Sequence, residues 1–159
     1  MVLTIFIMLA WLLTMILIFL PKPFSFTENS FLFLTTSILI KNTFTIVGFN
    51  LKWIERSEQS DFFVAYFLYR TLLYPLALLI MINLFYLYKK NIHKVLTILS
   101  AGIFIFAVEI LGERLEVYSY KQWNNWYTLV EIILFIILTF LFAKLIRHFE
   151  LRKTKYDHL

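Results

Sequence analysis

Long apolar runs separated by short polar breaks make up the whole chain, and the lengths of the runs set the reading. Residues 2–20 contain no charge. At about 1.5 Å of rise per residue, a helix of that length nearly crosses a hydrocarbon core of roughly 30 Å. No Lys or Arg precedes this run, and Pro21-Lys22-Pro23 follows it without a small-residue cleavage pattern. It therefore reads as a span and not as a cleaved signal peptide. Residues 31–40 are apolar, Lys41-Asn42 interrupts them, and residues 43–51 resume the run. Neither half is long enough to cross alone. Joined, they make a span over residues 31–51 with Lys41 close to its midpoint. A central lysine costs roughly 2.5–3.5 kcal/mol on insertion, and each Leu, Ile, Phe or Val returns about 0.3–0.6 kcal/mol. The many such neighbours offset the lysine. The competing reading is a re-entrant or interfacial pair of short helices.

Residues 62–88 are longer than a crossing requires. Lys89 and Lys90 fix one end, which puts the membrane core of this run at residues 69–88 and Arg70 at the far interface. Pro75 has no N–H for the carbonyl four residues earlier, so a kink is expected there. Two further runs follow, with Glu109 near the end of the first and Glu131 within the first two turns of the second. The spans are thus expected at about 2–20, 31–51, 62–88, 95–112 and 124–145, followed by a basic tail over 146–159, all in one domain. Backbone polar groups in lipid are satisfied only in helices or closed barrels, and these continuous runs are not barrel strands. The expected fold is an all-α polytopic transmembrane bundle of five spans, with four as the alternative.

Composition agrees with that class. Hydrophobic residues make up 61% of the 159 and charged residues 16%, whereas soluble domains are nearer half apolar and a quarter charged. Cysteine is absent, which excludes disulfides, thiolate metal sites and a cysteine nucleophile. The net charge of +5 is unevenly placed. With five spans, Lys22, Lys89, Lys90, Lys94, Lys144, Arg147, Arg152, Lys153 and Lys155 share one side. Lys52, Arg56, Arg114 and Lys121 lie on the other. Positive loops stay in the cytoplasm, so the C-terminus is expected inside and the N-terminus outside. Trp53, Trp123 and Trp126 then sit at the outer interface, which indole rings favour.

Charges within apolar runs carry the candidate chemistry, because each needs a partner, a wet cavity or a route to the interface. By depth, Glu109 and Glu131 share the outer half of the membrane, Lys41 lies near its middle, and Arg70 snorkels to the headgroups along its apolar stem. Glu109, Glu113 and Glu116 share a face at i, i+4, i+7 if the helix continues past Gly112, which weakens it. Lys41, Arg70, Glu109, Glu113 and Glu131 form the candidate polar site. The bland reading treats the buried carboxylates as interhelical hydrogen bonds or as partners of Arg70 and Lys41, Asn83 as a packing hydrogen bond, and Tyr66, Tyr69, Tyr74, Tyr118, Tyr120 and Tyr127 as an interface belt.

Standard catalytic signatures are missing: the sequence has no P-loop, dinucleotide fingerprint, H-E-x-x-H or G-x-S-x-G. His93, His148 and His158 fall on the inner side, far from the outer carboxylates. No catalytic residue, cofactor or metal is assigned, although Glu109, Glu113 and Glu131 are ligands of the type a hard cation takes. Topology accounts for the positive charge, so no nucleic-acid partner is expected.

The stretch F-A-V-E-I-L-G-E-R-L-E-V-Y-S-Y-K-Q-W-N-N-W-Y, together with Y-R-T-L-L-Y-P around Arg70 and Pro75, covers parts of the last two-thirds of the chain. It resembles an uncharacterised family of small multi-pass membrane proteins from spore-forming Gram-positive bacteria. That family pairs a glutamate at the end of one span, here Glu109, with a Tyr- and Trp-rich turn, here Tyr118 or Tyr120, Trp123 and Trp126. The resemblance implies an all-helical protein of a bacterial cell membrane and supplies no activity. The functional expectation is a non-enzymatic membrane component acting through helix packing, with the lipid bilayer and a membrane-protein partner or a second copy as its contacts. A small transporter or channel-like protein using Lys41, Glu109 and Glu131 is the first alternative, and an intramembrane enzyme the second.

Overall fold

A computed structural model describes residues 1–57 and 59–156. Among these are five helical stretches long and apolar enough to cross a membrane. The first is α1 (Val2–Phe19). The second is α2 (Phe26–Thr45), which starts ahead of the apolar run because Ser25 forms a capping box. The Ser25 hydroxyl accepts the Glu28 N–H at 3.3 Å, and Glu28 Oε2 accepts the Ser25 N–H at 2.6 Å. Two N–H groups that a helix start leaves unpaired are thereby satisfied inside a polar segment. A π-helical turn, Ile46–Asn50, extends α2, and the apolar stretch Phe26–Gly48 is 23 residues long. The second run is therefore one continuous helix and not a re-entrant pair. Its centre lies earlier than the sequence reading places it, so Lys41 stands about 10 Å along the axis from Gly48 and not at the midpoint.

The third stretch, Ser60–Leu87, is built from α3 (Ser60–Leu68), a π-helical turn Tyr69–Leu73, and α4 (Tyr74–Leu87). Pro75 explains the wide turn. It has no N–H for the Thr71 carbonyl, and Ser37 Oγ of α2 donates to that carbonyl at 3.3 Å instead. The remaining helices are α5 (Asn91–Arg114) and α6 (Asn125–Tyr156). Residues 157–159 of the expected basic tail lie outside the described residues.

Two short strands, β1 (Ile54–Arg56) and β2 (Tyr118–Tyr120), pair antiparallel, with Ile54 opposite Tyr120 and Arg56 opposite Tyr118. The chain reaches β2 from α5 through a tight helix end. Glu116 takes a left-handed φ of 57°, its N–H donates to Glu113 O, and the Val117 N–H donates to Gly112 O. This is the paired carbonyl capping of a Schellman motif, with Val117 fully buried beyond it. The helix thus ends at Arg114, and the expected common face of Glu109, Glu113 and Glu116 is broken at Glu116.

The third stretch is the hub. Within its most apolar window 61% of residues are buried, against 17–28% in the other four. It packs on α1, α2, α5 and α6, so a helix with an apolar surface all round finds protein on every side. At one end of the bundle Phe24 meets Tyr86 edge-on at 5.2 Å, and the Arg147 guanidinium lies 4.0 Å from the Tyr86 ring. Asn83, fully buried, donates to Asn29 Oδ1 at 2.7 Å, so the expected packing hydrogen bond is present. With Lys89 and Lys90 nearby in sequence, this is the lysine end. The strand pair covers the opposite, capped end, where Trp53, Trp123 and Tyr127 cluster at 5.4–6.3 Å.

Candidate functional site

Arg70 occupies the π-helical turn of the hub, and the wide turn directs Tyr69, Arg70 and Leu73 inward together. The sequence reading sends Arg70 to the headgroups. The structure corrects this: the residue is 2% exposed. Its Nη2 donates to Glu109 Oε1 of α5 at 2.6 Å, forming a buried ion pair. Aromatic rings enclose the guanidinium. Its central carbon is 3.2 Å from the Phe44 ring centre, 4.6 Å from that of Tyr69, and 5.6 Å from those of Tyr66 and Tyr118. Snorkelling is unnecessary because a carboxylate and ring faces inside the bundle reach the guanidinium. A buried cation is held there by a carboxylate and by the negative faces of the rings.

Strand β2 closes the site from the capped end. The Tyr120 hydroxyl donates to Glu109 Oε1 at 2.7 Å, so one carboxylate oxygen accepts from both Arg70 and Tyr120. The Tyr118 hydroxyl donates to the Glu109 backbone carbonyl at 2.6 Å, and that of Tyr69 to Ile105 O at 3.3 Å. Burial, then the nearby negative charge of Glu109, raises both Tyr118 and Tyr120 above the ordinary tyrosine range. Both phenols stay protonated and able to donate. Gly112 makes room for this arrangement, because a Cβ there would lie 2.7 Å from the Tyr118 ring.

Glu131 of α6 is 6% exposed and lies within electrostatic range of Arg70, Glu109 and Tyr74. Among the described residues its Oε1 has no hydrogen-bond partner, and neither do the Tyr74 hydroxyl nor Arg70 Nε and Nη1. The site therefore retains two guanidinium donors and one carboxylate acceptor. Unpaired buried groups of this kind are costly, which marks this half of the bundle as the place where polar chemistry is concentrated.

The other expected members fall elsewhere. Lys41 is exposed on α2, with its ammonium 5.9 Å from the Phe67 ring. It lines a cavity of about 220 Å³ that Arg70 also borders. Glu113 faces a separate cavity of about 420 Å³ at the capped end, with Glu55, Glu116 and Tyr120. Tyr66, Tyr69, Tyr74 and Tyr118 are buried, whereas Tyr127 is 43% exposed, so most of the expected belt is the wall of the site. Sequence reasoning missed Phe44 as a wall and left open which of Tyr118 and Tyr120 meets the Glu109 carboxylate; Tyr120 does. The alternation in Tyr118-Ser119-Tyr120 was the available signal, since strand residues two apart face the same side.

Chemically, the arrangement can hold a cation in place, accept a proton or donor at Glu131, and offer N–H groups to an oxyanion. Among the described residues no set of three His, Asp or Glu side chains converges as a metal site. Thr97 and Thr139, buried farther along the bundle, donate to carbonyls of their own helices. The hub residues from Leu76 to Ile82 are apolar and buried. The buried charges Arg70, Glu109 and Glu131 thus lie in the capped half, and the lysine end holds the Asn29–Asn83 pair with Asn83 Oδ1 unpartnered. No protein-family model, curated protein or solved structure matches this chain.

Proposed function

We propose that this protein is a non-enzymatic multi-pass component of a bacterial cell membrane, belonging with the family it resembles. Its intramembrane Arg70–Glu109 pair fastens the capped end together, and its charges are not a conduction path. It acts through contacts with partner proteins, with the C-terminus cytoplasmic and the capped end outside. The observation that carries the reading is Glu109 Oε1, which joins α5 to Arg70 of the hub and to Tyr120 of β2. Bonds of this kind link separate segments of the bundle and need no ligand to explain them. The apolar, buried stretch of the hub between Tyr74 and Asn83 also favours fastening over transport.

A second reading, a small transporter, draws support from the unpartnered Glu131 oxygen, since a buried intramembrane carboxylate is a natural ion or proton carrier. Purified protein in liposomes separates the two. Fastening predicts that imposed proton, sodium and potassium gradients persist at the rate of empty liposomes. Dissipation by the natural chain that Glu131→Gln abolishes would reject fastening in favour of transport. Orientation has its own check on the cysteine-free background: Leu3→Cys should react with an impermeant thiol reagent from outside only.

A further inference from the structure

The cavity beside Arg70 lies in the groove between α2 and α3. Lys41 and Thr45, one turn apart, form one rim, and Phe63 and Phe67, also one turn apart, form the other. The rim residues are exposed, whereas the floor residues Phe44, Tyr66 and Arg70 are buried. Two cations therefore border the groove, and no acidic side chain lines it. The Glu109 carboxylate that neutralises Arg70 bonds to it from α5. Among the described residues Lys41 makes no ion pair, although it sits within an apolar helix. Arg70 Nε and Nη1, on a residue only 2% exposed, also lack hydrogen-bond partners.

We infer that this groove holds the phosphate headgroup of an anionic membrane lipid. The phosphate engages Lys41 at the rim and lies above Arg70, and the acyl chains remain outside against Phe63 and Phe67. Three observations favour a lipid. The cavity, at about 220 Å³, is small and lies between two helices, which suits a headgroup but not its chains. The Phe63 and Phe67 side is apolar and exposed, which suits an approach from hydrocarbon. Lys41 stands about 10 Å along α2 from Gly48, in the half of the span nearer that end, and its stem carries the ammonium toward the headgroups.

This inference goes beyond the fastening role of Glu109. Lys41→Gln leaves the Arg70–Glu109 pair untouched, so the two claims fail separately. The test is native mass spectrometry of the detergent-solubilised protein titrated with phosphatidylglycerol or phosphatidylcholine. Phosphatidylglycerol should bind about fivefold more tightly, the equivalent of about 1 kcal/mol for one basic contact. Lys41→Gln should lose that preference while melting like the natural chain, and Lys41→Arg should keep it. Lys144→Gln, at an exposed lysine on α6, should also keep it. Equal binding of the two lipids by the natural chain would overturn the inference, as would loss of the preference in Lys144→Gln. Competition by millimolar inorganic phosphate would overturn the lipid assignment in favour of a soluble anion.

Discussion

Replacing Glu109 measures how much the buried pair contributes to stability. In Glu109→Gln the amide oxygen can still accept from Arg70 Nη2 and Tyr120, which now reach Oε1 at 2.6 and 2.7 Å. The Tyr120 bond changes from charge-assisted to neutral, and the Arg70 bond keeps its cationic donor but loses its anionic acceptor, a loss of about 1 kcal/mol apiece. The expected destabilisation is therefore about 2 kcal/mol. Glu109→Leu removes the acceptor entirely, leaving the Arg70 charge buried and Tyr120 without its partner. Losing one member of a buried pair costs about 3–5 kcal/mol. The Phe44 face, 3.2 Å away, still shields the cation in the variant, which favours the lower end of that range. A net loss of about 3 kcal/mol follows. Arg70→Met combined with Glu109→Leu removes both charges and should lose only about 1 kcal/mol, for the orphaned Tyr120. Unfolding in mixed detergent micelles, with denaturing detergent as titrant, reads each value. A double variant less stable than Glu109→Leu alone, or equal to the sum of the two single variants within about 0.5 kcal/mol, would refute the pairing.

Gly112→Ala should destabilise by about 1 kcal/mol. The gain in helix propensity, about 1 kcal/mol, is outweighed by overpacking against the Tyr118 ring, 2.7–3.0 Å from the added carbon, at about 2 kcal/mol. In a Tyr118→Ala background the sign should reverse, and the same melting assay decides it; an unchanged sign would show that the ring is not the obstacle. The raised Tyr118 and Tyr120 phenols predict an alkaline limit. Their unfolded value is about 10, so the folded state binds the extra protons only above that pH. Stability should hold below about pH 10 and fall as pH rises beyond it, with a shallower fall in Tyr120→Phe; a slope unaffected by Tyr120→Phe would remove Tyr120 from the account.

Much of the architecture was legible in the sequence because run length and hydropathy act locally. The five crossings, the break at Pro75 and the all-helical class follow from residues near one another in the chain. Boundaries were less legible. Ser25 and Glu28 start α2 early, and a capping box contributes almost nothing to hydropathy. The strand pair escaped because its pairing joins Ile54 to Tyr120, far apart in sequence and with no turn signal between them.

The sequence identified Arg70, Glu109 and Glu131 as charges that need an explanation, since a charge in an apolar run is costly wherever the run ends up. It could not say which explanation applied to which residue. Lys41 and Arg70 both interrupt apolar runs, yet Lys41 stays exposed and Arg70 is buried. The difference lies in neighbours that only tertiary packing supplies. Arg70 sits on the hub helix, where Phe44, Tyr69, Glu109 and the strand residue Tyr118 converge on it from separate segments. Hydropathy determines that a helix enters the membrane. The contacts its faces find there determine whether a charge becomes a fastening, a headgroup contact or an unpaired acceptor.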